Sequence, residues 1–192
     1  MRRTSLEPEY FESMFRETSD PWNLETSAYE RDKYLQSIRA LGRRVYDRAF
    51  EVGCAKGVFT QMLVSHCRSL LSIDVSETAL KAARQRNVAA RQVAFDVMRF
   101  PGIAPSGTFD LVVLSEVAYY WDDADIARAA DWVAAHLVPG GDVLLVHWTG
   151  ETDYPQSGDD AVLKMQSALG DAVAVMASTR TDDYRLDLWR KL

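Results

Sequence analysis

Glu51-Val52-Gly53-Cys54-Ala55-Lys56-Gly57 lies between Ala49-Phe50 and Val58-Phe59-Thr60-Gln61-Met62-Leu63, so a short apolar run turns into a helical pattern within one small-residue loop. Such a strand-to-helix loop lets a ligand approach the backbone at the end of a parallel strand. Gly53 and Gly57 permit that approach without a Cβ clash.

Outward from this loop, strands and helices alternate. Apolar runs predict strands over 47–52, 70–74, 89–96, 109–115 and 142–148, and helical periodicity predicts helices over 58–67, 77–87 and 124–137. Leu111-Val112-Val113-Leu114 and Val143-Leu144-Leu145-Val146 are apolar without interruption, the pattern of strands covered on both faces. A central parallel sheet follows. Ser76 fits an N-cap for the helix over 77–87, and Pro139-Gly140-Gly141 is expected to end the helix over 124–137.

Ahead of the loop, Leu6, Tyr10, Phe11, Met14 and Phe15 have helical spacing, and Asp20-Pro21-Trp22 interrupts it. A second helix is expected over 27–41, burying Tyr34, Leu35, Ile38 and Leu41 and stopping at Gly42. The aromatic stripe suits either packing against the core or a lid. After Trp148 a helix over 159–169 precedes two strands, 172–178 and 184–190, with a polar turn at Thr181-Asp182-Asp183, which reads as an antiparallel hairpin. The expected architecture is α/β: one Rossmann-like, seven-stranded mixed sheet with helices on both faces and a C-terminal antiparallel hairpin. Residues 1–192 form a single domain in this reading, with 1–42 a helical cap and 43–192 the core.

Composition bounds the function. The 192 residues are 47% hydrophobic and 26% charged, with a net charge of −6. No apolar run reaches the roughly 20 residues of a membrane span. The 22 basic residues are scattered, which disfavours nucleic acid, whose phosphates demand clustered Lys and Arg. A small cationic or neutral acceptor suits this balance. Met1-Arg2-Arg3-Thr4-Ser5-Leu6-Glu7-Pro8 has no apolar segment behind its arginines, so a cytoplasmic protein is expected, as monomer or homodimer. Cys54 and Cys67 read as reduced thiols without metal spacing, and no metal is expected.

The polar residues gather at the predicted strand ends: Glu51 and the loop, Asp74, Asp96, Ser115-Glu116 and His147-Trp148. An acid about 20 residues past a glycine loop accepts ribose hydroxyls, a role that falls to Asp74. Asp96 would accept from an exocyclic amine of a base, with Val75 and Val97 against its faces. Glu51 and loop carbonyls would take a ligand ammonium. A pyrophosphate instead calls for G-x-G-x-x-G, whereas this loop has an acid immediately before it. The ligand expected here is therefore a nucleoside without phosphates. The structural alternatives are a tight turn for the glycines, a cap for Asp74, a hydrogen-bonded strand-end histidine for His147, a surface acid for Glu116, and a packing cluster for Tyr119, Tyr120 and Trp121.

These residues resemble the class I methyltransferases that use S-adenosylmethionine. Glu51 to Gly57 is similar to their glycine motif, Asp74 to their ribose acid and Asp96-Val97 to their adenine-side pair. That resemblance covers about Asp20 to the C-terminus, and a narrower one is to the NodS family of N-methyltransferases. It rests on Asp20-Pro21-Trp22, Tyr29-Glu30-Arg31, the loop, Phe59-Thr60, His66-Cys67, Ile73-Asp74-Val75, Ser115-Glu116-Val117-Ala118-Tyr119-Tyr120 and Leu137-Val138-Pro139-Gly140-Gly141. The resemblance implies S-adenosylmethionine as cofactor and S-adenosylhomocysteine as product. Trp22, Cys54, Ala55, Phe59 and Ser115 join the cofactor set, and Arg31 takes the cofactor carboxylate. Ala55 stands where many relatives have glycine, which leads to the expectation that φ stays negative there.

The implied acceptor is a small amine such as that of a deacetylated chitooligosaccharide. Glu116 and His147 are the candidates to orient it or accept its proton, and Tyr119 and Tyr120 would wall off water. The alternatives are an O-methyltransferase for a sugar or natural-product hydroxyl, a cofactor-binding module without turnover, and a nucleotide-linked dehydrogenase, which the loop composition disfavours.

Overall fold

The computed structural model describes residues 3–192; Met1 and Arg2, which open the arginine-bearing N-terminal segment, lie outside the described residues. The elements in order are α1 (Pro8–Glu17), α2 (Ala28–Leu41), β1 (Ala49–Val52), α3 (Val58–Leu63), β2 (Leu70–Asp74), α4 (Glu77–Arg86), β3 (Val93–Val97), β4 (Phe109–Ser115), α5 (Asp123–His136), β5 (Leu137–Trp148), α6 (Gly158–Leu169), β6 (Val173–Arg180) and β7 (Tyr184–Lys191). The strands form a seven-stranded mixed sheet in the order β3-β2-β1-β4-β5-β7-β6. The chain divides into two compact units, Glu7–Met98 and Arg99–Leu192, the latter including the N-terminal segment through Leu6.

In the Glu7–Met98 unit, β1, β2 and β3 pair in parallel, with Val52 opposite Ile73 and Asp74 opposite Val97. Pro8 starts α1, where its missing N–H costs no helical bond. Asp20 then accepts from the amides of Leu24 and Glu25, turning the chain into α2, whose N-cap Ser27 accepts from Glu30. Gly42 ends α2 at φ +67°, a conformation glycine adopts without strain.

The buried stripe of α2 differs from the expected one. Glu30, Lys33, Tyr34, Ser37 and Leu41 are buried, while Leu35 is exposed and Ile38 half-buried. Burying the charges is possible because Lys33 Nζ meets Glu30 Oε1 at 2.9 Å and lies over the Tyr29 ring. Some element bounds are also tighter than expected, β1 starting at Ala49 rather than 47. The helix after the loop closes into a 3-10 turn at Val64–His66, and β3 starts at Val93 because Val93 N bonds back to Ala90 O in a turn.

In the Arg99–Leu192 unit, β4 and β5 are parallel, while β5–β7 and β6–β7 are antiparallel. Leu111 to Leu114 and Val143 to Val146 are completely buried, as their unbroken apolar runs predict. The helix before Pro139-Gly140-Gly141 ends within one residue of the expected bound, with Leu137 as its C-cap. The helix α5 stops at His136, and the three residues lie within β5, where the register shifts between Phe109 and Leu111. At the hairpin, Thr181 Oγ1 accepts from the amides of Asp183 and Tyr184, tying the polar turn that joins β6 to β7.

Candidate functional site

The loop after β1 is built by the backbone. The amides of Gly53 and Cys54 both donate to Ile73 O, and Gly57 N donates to Cys54 O. Asp74, at the end of β2, accepts from Ala55 N through Oδ2 and from Ser76 N through Oδ1, each at 2.9 Å. Turning the Ala55 amide toward Asp74 puts Ala55 in the left-handed region at φ +47°, which corrects the expectation of a negative φ. An L-residue there sacrifices about 1–2 kcal/mol, which the bond to a buried carboxylate offsets.

Gly57 has a packing reason of its own. At φ +71°, a Cβ would come within 2.6 Å of Asn87 Nδ2 and 3.1 Å of Ala83 Cα. Asn87 Nδ2 in turn donates to Gly57 O. The small residue therefore lets α4 approach the loop. Cys54 likewise points inward, against Leu80, Ala83 and Phe95, and offers the loop its backbone. Burial pushes its thiol well above the usual range.

Glu51 is almost wholly buried, and its Oε2 accepts from Thr60 Oγ1 and Ser72 Oγ, both at 2.7 Å. Burial outweighs those bonds and lifts the carboxyl to about 7. Asp74 is raised to about 6, again chiefly by burial, against three backbone bonds that lower it. Two acids poised near neutrality thus close β1 and β2, a state that a cation would stabilise in the charged form.

Helix α1 is moored beside this pair. Glu12 accepts from Ser76 Oγ, Thr78 Oγ1 and Thr78 N at the start of α4, and these bonds hold its carboxyl down at about 2. Phe15 is buried and meets the half-buried Trp22 edge-on at 5.5 Å. Phe59 is buried in a parallel stack on Tyr34 at 4.9 Å. Lys56 and Arg86 both pair with Glu25. Arg31, Asp96 and Val97 are exposed, and Val75 is half-buried at the end of β2.

In the other unit, β4 ends at the half-buried Ser115 and the chain enters Glu116 at φ +57°. The strained residue is fixed by backbone and side chain. Its amide donates to Val146 O, and its Oε2 accepts from Tyr119 Oη at 2.6 Å and Trp148 N at 2.9 Å. Non-glycine residues held in this region concentrate at functional sites. Tyr119 meets Tyr120 at 4.6 Å and His147 at 5.5 Å, both edge-on. Burial foremost, with the Glu116 charge contributing, pushes the Tyr119 phenol well above its usual range.

His147 is sealed from solvent, and its Nε2 accepts from Ala118 N at 3.1 Å. With that lone pair committed, the ring proton sits on Nδ1, and the histidine holds the 118–120 turn in place.

Known proteins fit this frame. The family model described as Nodulation protein S (NodS) matches residues 12–146, more than half of the chain. The chain belongs to the NodS family. Nodulation protein S of Bradyrhizobium diazoefficiens is 40% identical over 116 residues, 58% of this chain and 54% of that protein. Nodulation protein S of Sinorhizobium fredii is 36% identical over 124 residues, 64% of this chain and 57% of that protein. The matched region thus spans about half the length of these curated relatives. The crystal structure of N-methyltransferase NodS from Bradyrhizobium japonicum WM9 in complex with S-adenosyl-L-homocysteine superposes with a TM-score of 0.82 at 25% identity, covering 93% of this chain and 96% of that one.

Against the NodS frame, several partners of the expected residues were invisible in the sequence. Thr60 and Ser72 hold Glu51, Glu12 holds the start of α4, and Tyr154 packs on Tyr119 and Tyr120. The hydroxyl of Ser72 inside the apolar run Leu70-Leu71-Ser72-Ile73 was the one available signal for the first pair. Among the described residues, no group of three or more His, Cys, Asp or Glu is placed to hold a metal, and no helix is long and apolar enough to cross a membrane.

Proposed function

We propose that this NodS-family chain is an S-adenosylmethionine-dependent methyltransferase whose acceptor is a small amine, the amine of a deacetylated amino sugar being the specific candidate. The observation that carries the cofactor reading is the pair Glu51 and Asp74, two buried acids at about 7 and about 6 closing successive parallel strands. The pair suits a cationic nucleoside. Asp74 has carboxylate lone pairs to offer ribose hydroxyls, and Glu51 gains stability as an anion beside an ammonium. A pyrophosphate would instead need free positive charge at the loop, where Lys56 and Arg86 are committed to Glu25.

When bound, S-adenosylmethionine supplies an electrophilic methyl group on a sulfonium. The chain's own contribution is binding, orientation and water exclusion. Gly53, Cys54 and Ala55 present backbone to the cofactor, Asp74 the ribose acid, and Asp96, Val75 and Val97 the base side. Trp22, Arg31, Phe59 and Ser115 complete the proposed cofactor set. Holding two reactants in line at about 3–3.5 Å supplies roughly 7–11 kcal/mol by positioning alone.

Glu116 is the acceptor acid in this proposal, orienting the amine and receiving its proton so that the nitrogen attacks neutral. Tyr119 and Tyr120 wall the acceptor from water. His147 acts through the 118–120 turn, because its acceptor nitrogen is occupied by Ala118. The same bond weighs against a hydroxyl acceptor, which would need His147 free as a general base. The words N-methyltransferase in the description of the Bradyrhizobium japonicum WM9 protein support the amine.

The test is methyl-labelled S-adenosylmethionine offered with a deacetylated chitooligosaccharide, its N-acetylated counterpart and simple sugar alcohols. Label in the free-amine compound alone is expected. Label in the hydroxyl compounds, with none in the amine, would overturn the acceptor assignment.

A further inference from the structure

Tyr154 lies in the 149–157 connection from β5 to α6, beyond His147 and well after Glu116, Tyr119 and Tyr120 in the chain. Both ends of this connection are built to hold one course. Thr149 N donates to Asp183 O at 2.9 Å. Gly150 lacks a side chain where a Cβ would fall 2.1 Å from the Trp148 ring, and Gly158 where a Cβ would fall 2.2 Å from Trp148 O. Gln156 is buried, with its amide on Tyr119 O at 3.2 Å, its Nε2 on Asp123 Oδ1 at 2.8 Å and its Oε1 receiving Lys164 Nζ at 2.8 Å. A loop anchored at both ends by polar bonds and close packing delivers a side chain to a fixed place.

That side chain is the Tyr154 ring. It stacks on Tyr119 with centroids 5.5 Å apart and planes 18° apart, and meets Tyr120 edge-on at 4.7 Å. Tyr120 in turn meets Tyr119 edge-on at 4.6 Å, so the three rings form one cluster. Tyr119 Oη donates from this cluster to Glu116 Oε2 at 2.6 Å. Tyr119 must keep one rotamer to make that bond, and the stacking face of Tyr154 is what opposes its swinging away.

We infer that Tyr154 is a positioning residue for acceptor chemistry, holding Tyr119 and Tyr120 in the arrangement that aims Glu116. The inference rests on the methyltransferase reading for its kinetic consequence, while its structural content stands apart from turnover. The kinetic test compares Tyr154→Phe, Tyr154→Ala, Tyr119→Phe and the double variant Tyr154→Ala/Tyr119→Phe, using labelled cofactor and an amine acceptor. Tyr154→Ala should lower kcat about tenfold, in the range that couplings between contacting residues reach, and Tyr154→Phe should recover most of it through the retained stack. The affinity for S-adenosylhomocysteine should stay at the wild-type value in both. The double variant should be no slower than Tyr119→Phe alone, because Tyr154 acts through Tyr119.

Additive losses in the double variant, or an unchanged kcat in Tyr154→Ala, would overturn the inference. A spectrophotometric titration of the phenols gives a readout without turnover. Loss of the Tyr154 ring uncovers Tyr119 and Tyr120, so their ionisation should move to lower pH in Tyr154→Ala. Unchanged midpoints for the remaining phenols, once the one removed with Tyr154 is subtracted, would also refute it. Absence of label transfer by the wild type alongside a shifted titration would reject the methyltransferase reading and keep the packing role.

Discussion

The acids of the two units are handled in opposite ways. In the Glu7–Met98 unit, Glu51 and Asp74 are buried at strand ends, satisfied by hydroxyls and backbone amides, and raised to about 7 and about 6. In the Arg99–Leu192 unit, Glu116 is only half-buried, sits on strained backbone and is clamped by a tyrosine and a main-chain amide. The first arrangement stores unfavourable charge that a bound cation relieves, so it favours binding. The second spends strain on aiming one carboxylate among aromatic rings, so it favours turnover.

Four substitutions or conditions sharpen this contrast. The largest effect is expected from Glu116→Gln, which keeps the shape and loses the proton acceptor. The value of kcat should fall about 10²–10⁴-fold, the usual range for a general base, while cofactor affinity holds. Steady-state kinetics beside calorimetry read both, and a fall in affinity equal to the fall in rate would break the division of labour.

Next comes pH. The carboxyls of Glu51 and Asp74 titrate higher in the fold than their ordinary values of 4.5 and 3.8. Their contribution to stability is therefore complete at low pH and is lost as pH rises through about 6 and about 7. The ligand's ammonium and ribose hydroxyls favour the ionised forms of these acids, so S-adenosylhomocysteine affinity should climb from pH 5.5 to 7.5, by up to about tenfold per pH unit for each proton released. Calorimetry in buffers of different ionisation enthalpy measures those protons, and Glu51→Gln should remove its share. A flat affinity with no proton release would contradict the role of the pair.

Glu12→Ala should cost about 1–2 kcal/mol, since it leaves Ser76 and Thr78 without their charged acceptor. Urea unfolding reads the loss, and faster proteolysis within 8–17 locates it. Because Glu12 is held down at about 2, acid should reproduce the variant, with stability lost as pH falls from about 4.5 toward about 2. The smallest effect is Ala55→Gly. It relieves the left-handed strain of about 1–2 kcal/mol, less about 0.4–1 kcal/mol of added unfolded-state entropy. A net gain of about 0–1.6 kcal/mol is expected from thermal unfolding.

The alternation of elements was legible because local signals agreed with one another. Ser27, Ser76 and Gly42 cap the helices that periodicity predicted, and the apolar runs at Leu111 and Val143 became fully buried strands. Asp74 and Glu51 were legible as strand-end acids. What escaped depends on partners distant in sequence. Ala55 is left-handed because Asp74 holds its amide, and no local rule reports that bond. Glu30 and Lys33 lie outside the face expected to be buried in α2, and their ion pair is what lets the fold bury them. Tyr154 has no periodicity to mark it, since its meaning lies in the rings of Tyr119 and Tyr120. The helix before Pro139-Gly140-Gly141 ends where its signal predicts, but β5 already begins at Leu137, five residues ahead of the expected 142, with a register shift beside Phe109.

The most direct test of the division between the two units is calorimetric titration of S-adenosylhomocysteine into wild type, Asp74→Ala and Glu116→Gln. Wild type and Glu116→Gln should bind one equivalent with the same affinity, and Asp74→Ala should bind at least about 100-fold more weakly, as loss of a buried charged hydrogen-bond acceptor implies. Failure of the wild type to bind, or wild-type affinity in Asp74→Ala, would contradict the account.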